Sequence, residues 1–156
     1  MVECDYLKRL DCSNNFLKKI PIIDSLEILR CDNNFIISIS KLINIIKLSC
    51  SNNKLTYLAD MPNIEVIDCE KNSIESIENY KNLKELYCNK TNIMTIKNIP
   101  KLEILHCYKS NFVQLEYIQT LKELLCDYRG DLVLSKFYTI TNSEVYKNSI
   151  IFIEFK

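Results

Sequence analysis

Leu83-Lys84-Glu85-Leu86-Tyr87-Cys88-Asn89-Lys90-Thr91-Asn92-Ile93 decides the fold, because it is one copy of a unit that returns every 19 residues. Copies open at Leu7, Leu26, Ile45, Ile64, Leu83, Leu102 and Leu121. The shared pattern is L-x-x-L-x-C-x-x-N-x-L-x-x-I-x-x-φ-x-x, with φ apolar. A tandem unit of constant length predicts a repeat solenoid, in which each rung buries its apolar face only against its neighbours. The opening of each unit alternates apolar and polar residues, as in Leu29-x-Cys31, and predicts a short strand. The return path has no helical period and includes Pro21, so it is expected to be extended or 3₁₀, with little α-helix.

The Asn slot, filled by Asn15, Asn34, Asn53 and Asn72, turns the chain. Its amide can both donate to and accept from the backbone of adjacent rungs. Thr91 and Ser110 hold that slot in the fifth and sixth units, predicting a weaker continuation. The seventh unit starts in register and then departs from it: Arg129 takes the Asn slot, and Gly130 reads as an insertion that lets Leu132 regain the core. The expected organisation is a minimal N-terminal cap over 1–6, seven repeats over 7–131, and a C-terminal cap over 132–156. Within that cap, Ser149 to Phe155 reads as a strand that hides the last sheet edge.

Composition narrows the function classes. Apolar residues make up 47% and charged residues 26%, a globular balance in one domain. Twenty basic and twenty acidic side chains cancel, which removes the simplest case for nucleic acid or an anionic membrane. A single Gly leaves no material for a phosphate cradle. No apolar run reaches the roughly 18 residues of a membrane helix. The start, Met1-Val2-Glu3-Cys4-Asp5, has no apolar core segment, so no secretory signal is expected.

Cys12, Cys31, Cys50, Cys69, Cys88, Cys107 and Cys126 fall one repeat apart, in one column. Parallel neighbours about 4.8 Å apart point their Cβ atoms the same way, a poor geometry for a disulfide. A straight ladder cannot converge on a tetrahedral metal either. The column is therefore expected to be buried and reduced, which fits an intracellular, reducing compartment. Cys4 lies outside it.

The L-x-x-L-x-C-x-x-N-x-L pattern over residues 7 to about 131 resembles the leucine-rich repeat. The 19-residue length is similar to the short class found in bacterial effector proteins. The Cys-Ser-Asn-Asn runs at Cys12–Asn15 and Cys50–Asn53, with the Ile/Asn/Lys-rich composition, resemble leucine-rich repeat proteins of amoeba-infecting giant viruses. The resemblance implies a right-handed superhelix with a parallel sheet on its concave side, used for protein recognition.

Strand alternation sends the first, fourth and sixth positions of each unit inward and the third and fifth outward. The outward columns, with the seventh just past the Cys, hold seven acids and three bases, a formal −4. Beside this acidic floor runs an eighth column, Asn14, Asn33, Asn52, Lys71, Lys90, Lys109 and Tyr128. Tyr87, His106, Tyr108, Leu125 and Tyr128, flanked by Glu85 and Ile104, form the candidate protein-binding patch, since aromatics dominate binding hot spots. The competing reading has the C-terminal cap folded over this patch.

No catalytic, cofactor or metal site is expected. His106 is the sole histidine, and alternation puts it on the opposite face from Cys107. Asp68 and Glu70 sit on an open floor with no pocket to perturb them. The leading expectation is a non-enzymatic scaffold that binds a protein through the concave face. The alternative is a self-assembling repeat protein, associating through its N-terminal end by Phe16, Phe35 and Ile37.

Overall fold

The computed structural model describes residues 6–111 and 118–127, and the backbone of 140–146 and 150–155. Each rung contributes one three-residue strand at its predicted place: β1 (Arg9–Asp11), β2 (Ile28–Arg30), β3 (Lys47–Ser49) and β4 (Val66–Asp68). They are followed by β6 (Glu85–Tyr87), β8 (Ile104–His106) and the longer β9 (Glu123–Asp127). These seven pair in parallel, in the order β1-β2-β3-β4-β6-β8-β9. The register never slips: Arg9, Ile28, Lys47, Val66, Glu85, Ile104 and Glu123 are successive partners. A constant repeat length makes this possible, because every column then stacks on itself. The fold is a parallel-sheet β-solenoid.

The return side is extended. In two rungs it forms strands, β5 (Ser76–Glu78) and β7 (Thr95–Lys97), which pair in parallel as a second sheet. Among the described residues there is neither α-helix nor 3₁₀ turn, so of the two forms expected for the return path only the extended one is seen. No helix is long and apolar enough to cross a membrane among those residues.

One core runs the length of the stack. Leu26, Leu29, Cys31, Ile45, Ile64, Ile67 and Leu83 are fully buried from the strand side, and Ile36, Leu55, Ile74 and Ile93 from the return side. Tyr80 reaches into this core from the return path and donates its hydroxyl to Leu58 O and Ala59 O at 3.3 and 3.0 Å. The first rung is the exception. Leu7, Leu10 and Cys12 are only partly buried, since β1 ends the described sheet.

At the other end the sheet turns antiparallel. β11 (Ile150–Phe155) pairs with β9, placing Phe152 opposite Leu125, and β10 (Ile140–Tyr146) pairs outside β11. β11 thus pairs along the outer edge of β9, and Ser149 lies outside the described residues. β10 was not anticipated. Tyr128 and the Arg129-Gly130-Asp131 irregularity lie outside the described residues, as does Cys4.

Candidate functional site

Two polar ladders fix the loop that follows each strand. In the ninth column, Asn34 donates its Nδ2 to Cys12 O of the preceding rung and to Cys31 O and Asp32 O of its own. Its Oδ1 accepts from Leu17 N at 2.9 Å. Asn53 and Asn72 repeat this pattern, with Oδ1 accepting from Ile36 N and Leu55 N. Each Asn therefore ties two rungs together. Thr91 keeps the bond within its own rung, to Cys88 O at 2.7 Å. Ser110 likewise donates to Cys107 O. The Thr91 hydroxyl is shorter than the Asn amide, which is why the bridge between rungs is lost there.

The eighth column is the left-handed turn. Asn14, Asn33, Asn52, Lys71, Lys90 and Lys109 all have φ between 51° and 58°. Asn tolerates this region well, and here its side chains also stack: Asn33 Nδ2 donates to Asn14 Oδ1 and Asn52 Nδ2 to Asn33 Oδ1. Lys gains no such local bond, so each of the three costs about 1 kcal/mol relative to an unstrained site. The lysine row is thus a row of strained turns first. Asn79 and Asn98 do the same on the return side, again with an amide-to-amide bond at 2.9 Å.

The outward columns face a common hollow. Residues of five successive rungs, among them Ser13, Arg30, Ser49, Asp68 and Tyr87, line one open depression of about 620 Å³. Outward side chains of successive rungs, stacked in register, form the walls of this hollow.

The acids on this face are already engaged. Asp11 accepts from Ser13 N. Asp32 accepts from Ser49 Oγ at 2.8 Å and from Ser51 N at 2.7 Å, in the next rung. Asp68 accepts from Ser51 Oγ and Glu70 N. Glu70 accepts from Asn89 Nδ2, whose Oδ1 in turn accepts from Tyr108 N at 2.9 Å. Asp127 accepts from Lys109 N at 2.6 Å. Glu85 and Glu123 accept from Tyr87 and His106, described below. Six of the seven acids of the floor therefore tie rungs or the patch together, and Asp11 holds only its own turn. They still carry charge, but the acidic floor is a structural network before it is a docking surface.

Two rings of the candidate patch meet directly. Tyr87 and His106, on adjacent rungs, meet edge to face with centroids 4.9 Å apart and planes at 86°. Tyr87 donates its hydroxyl to Glu85 Oε2 at 3.0 Å. Burial, then the Glu85 bond, push the Tyr87 phenol up to about 12, so it stays a neutral donor. His106 Nε2 lies 2.5 Å from Glu123 Oε1. Lys90 Nζ sits 5.9 Å from the Tyr108 centroid, within cation–π range. Tyr87, His106, Tyr108, Leu125, Glu85 and Ile104 are all half-buried. His106 and the buried Cys107 do point to opposite faces, as alternation requires.

The described C-terminal strands join the sheet beside β9, while residues 128–139 and 147–149 of the expected cap lie outside the described residues. β11 and β10 extend the sheet beyond β9, and neither contacts β6 or β8.

All seven described cysteines are free thiols. Cys12, Cys31 and Cys50 donate Sγ–H to the carbonyl of the next rung at 3.4–3.5 Å. Burial raises the pKa of every one, and Cys126 is pushed up to about 12. These thiols are poor nucleophiles. Among the described residues, no group of three or more His, Cys, Asp or Glu is arranged to hold a metal ion.

Two features lie away from the outward columns. Phe16 and Phe35 stack at 6.1 Å on the rim, 85% and 42% exposed, with Lys54 Nζ 5.1 Å from the Phe35 centroid. Phe16 is not buried between adjacent turns. Ile37 is also exposed. On the return side, an open hollow of about 960 Å³ gathers Lys81, Lys97 and Lys101, with no acid among the described residues of its lining. The sequence pattern had singled out none of these lysines. They become neighbours only through the 19-residue stacking of rungs and the curl of the return path.

Comparison with protein-family models, with curated proteins and with solved structures finds no match.

Proposed function

We propose that this chain is a leucine-rich-repeat-type scaffold that recognises a protein through the concave face of its long sheet. The contact is centred on Tyr87, His106 and Tyr108, with Glu85, Ile104 and Leu125 around them. One observation supports this reading: the described closing strands β11 and β10 lie beside β9 in the sheet order and pair with neither β6 nor β8. A patch held in place by Glu85, Glu123 and a ring–ring contact loses little entropy on binding. The repeat identity rests on the 19-residue pattern together with the Asn ladder, and the sequence pattern alone carries the kinship to the effector-class and giant-virus proteins. The free thiols fit a reducing, intracellular compartment. No cofactor enters this reading.

Site-specific photo-crosslinking tests it. A photoreactive residue at Ile104, on the floor, is expected to capture a protein adduct in a lysate of the native cell. The same residue at Ser76 or Lys97, on the return side, is expected to capture none. Adducts from the return side alone would assign the interface to the wrong face.

A further inference from the structure

β1 is the outermost strand of the sheet among the described residues. Its bonding groups divide by direction. Ile28 N donates to Lys8 O at 3.0 Å, and Cys12 N donates to Arg30 O at 2.8 Å. Ile28 and Arg30 thus aim their backbone at the preceding rung. Arg9 and Asp11 are the same positions one repeat earlier. Their N–H and C=O groups point away from β2, out of the edge. Leu10 aims its backbone at β2, and its side chain, with Leu7 and Cys12, is the incompletely covered end of the core.

An antiparallel partner must match outward-aimed residues with outward-aimed residues. If the partner is another β1, three registers qualify: Arg9 opposite Arg9, Asp11 opposite Asp11, or Arg9 opposite Asp11. The first two set like charges directly across the ladder, which destabilises the pair. The third sets Arg9 against Asp11 twice over, by the two-fold axis, with both side chains on the outer face. It also brings Leu10 against Leu10 at the close, non-hydrogen-bonded position, covering the open core end from both sides. The sheet already accepts an antiparallel strand at its other end, where β11 pairs with β9.

We propose that two copies of this chain associate head to head through β1, antiparallel, with Arg9 of each opposite Asp11 of the other and Leu10 at the two-fold axis. The surface is small, so the dimer is weak and concentration-dependent. It stands independently of the recognition reading, because the aromatic patch is four and five rungs away from the edge. It also differs from association through Phe16 and Phe35, which lie on the rim beside the edge.

Charge swapping tests the register. Sedimentation equilibrium on the full chain is expected to give a monomer–dimer equilibrium. Arg9→Asp alone, or Asp11→Arg alone, turns both cross-strand pairs into like charges and should raise the dimer Kd by about tenfold or more. The double variant, Arg9→Asp with Asp11→Arg, restores both pairs and should return Kd close to the starting value. Mixing the two single variants should also restore association, as a heterodimer in which every pair is complementary. Both side chains are exposed on the end rung, and circular dichroism checks that each variant keeps its sheet. A protein monomeric at its highest soluble concentration overturns the proposal. So does a dimer whose Kd ignores the single reversals, or that the double variant fails to rescue.

Discussion

Raising the pH above about 9 should unfold the protein steeply. Six column thiols, Cys31, Cys50, Cys69, Cys88, Cys107 and Cys126, are buried, and burial lifts each above the ordinary value of 9.0. The sign follows from proton counting. Above pH 9 the unfolded chain releases these protons and the folded chain keeps them, so the unfolded state binds fewer and stability falls as pH rises. Below pH 9 both states are protonated and the contribution is flat. One pH unit above the unfolded value, each thiol costs about 1.4 kcal/mol, so six cost roughly 8 kcal/mol. That rivals the whole stability of an ordinary domain, about 5–15 kcal/mol. Urea midpoints in a reducing buffer from pH 7 to 10.5 should stay level and then drop. Cys50→Ala with Cys88→Ala lowers stability at neutral pH, yet should make the alkaline slope shallower by about a third. A level midpoint throughout that range would mean the column is not desolvated as the structure has it.

The second large effect concerns the Asn ladder. Asn72 is 7% exposed and makes four bonds: to Cys50 O, Cys69 O and Glu70 O, and from Leu55 N. Asn72→Leu leaves the buried Leu55 N–H and Cys50 O without their partner. At about 1–3 kcal/mol for each buried group, the loss should be roughly 3 kcal/mol or more. Asn15 fills the same slot but is exposed, and it bonds only Cys12 O and Ser13 O within its own rung. Asn15→Leu should cost well under half as much. Thr91→Val should also fall below Asn72→Leu, because it breaks a bond within one rung. Chemical denaturation compares all three. Equal losses at Asn15 and Asn72 would show that bridging between rungs is not what the amide contributes.

Much of the fold can be read from one column. A cysteine every 19 residues fixes the register, and alternation about it assigns Leu86 and Cys88 inward and Glu85 and Tyr87 outward, as the structure has them. The turn expected at the ninth-column Asn falls one residue earlier, at Asn14, Asn33 and Asn52, where Asn favours the left-handed region. At Lys71, Lys90 and Lys109 the same turn is imposed by the stack against local preference, and a lysine carries no signal for it. The acids misled for a related reason. Counting charge on the floor treats Asp32 and Asp127 as free, whereas each accepts a backbone N–H from a different rung, a pairing that exists only once the rungs are stacked. β10 carries no strand signal in the sequence because Thr141-Asn142-Ser143-Glu144 dilutes its alternation with polar residues. The candidate patch was legible as columns. Its internal bonds, Tyr87 to Glu85 and His106 to Glu123, were not, since rotamers choose them.

The recognition reading is tested most directly by calorimetry with the captured partner. Tyr87→Ala and Tyr108→Ala remove side chains from the floor, and Lys97→Ala removes one from the return side. The account predicts that each tyrosine variant weakens binding by about 1–3 kcal/mol, while Lys97→Ala leaves the affinity unchanged. Binding weakened by Lys97→Ala and untouched by the two tyrosine variants would contradict it.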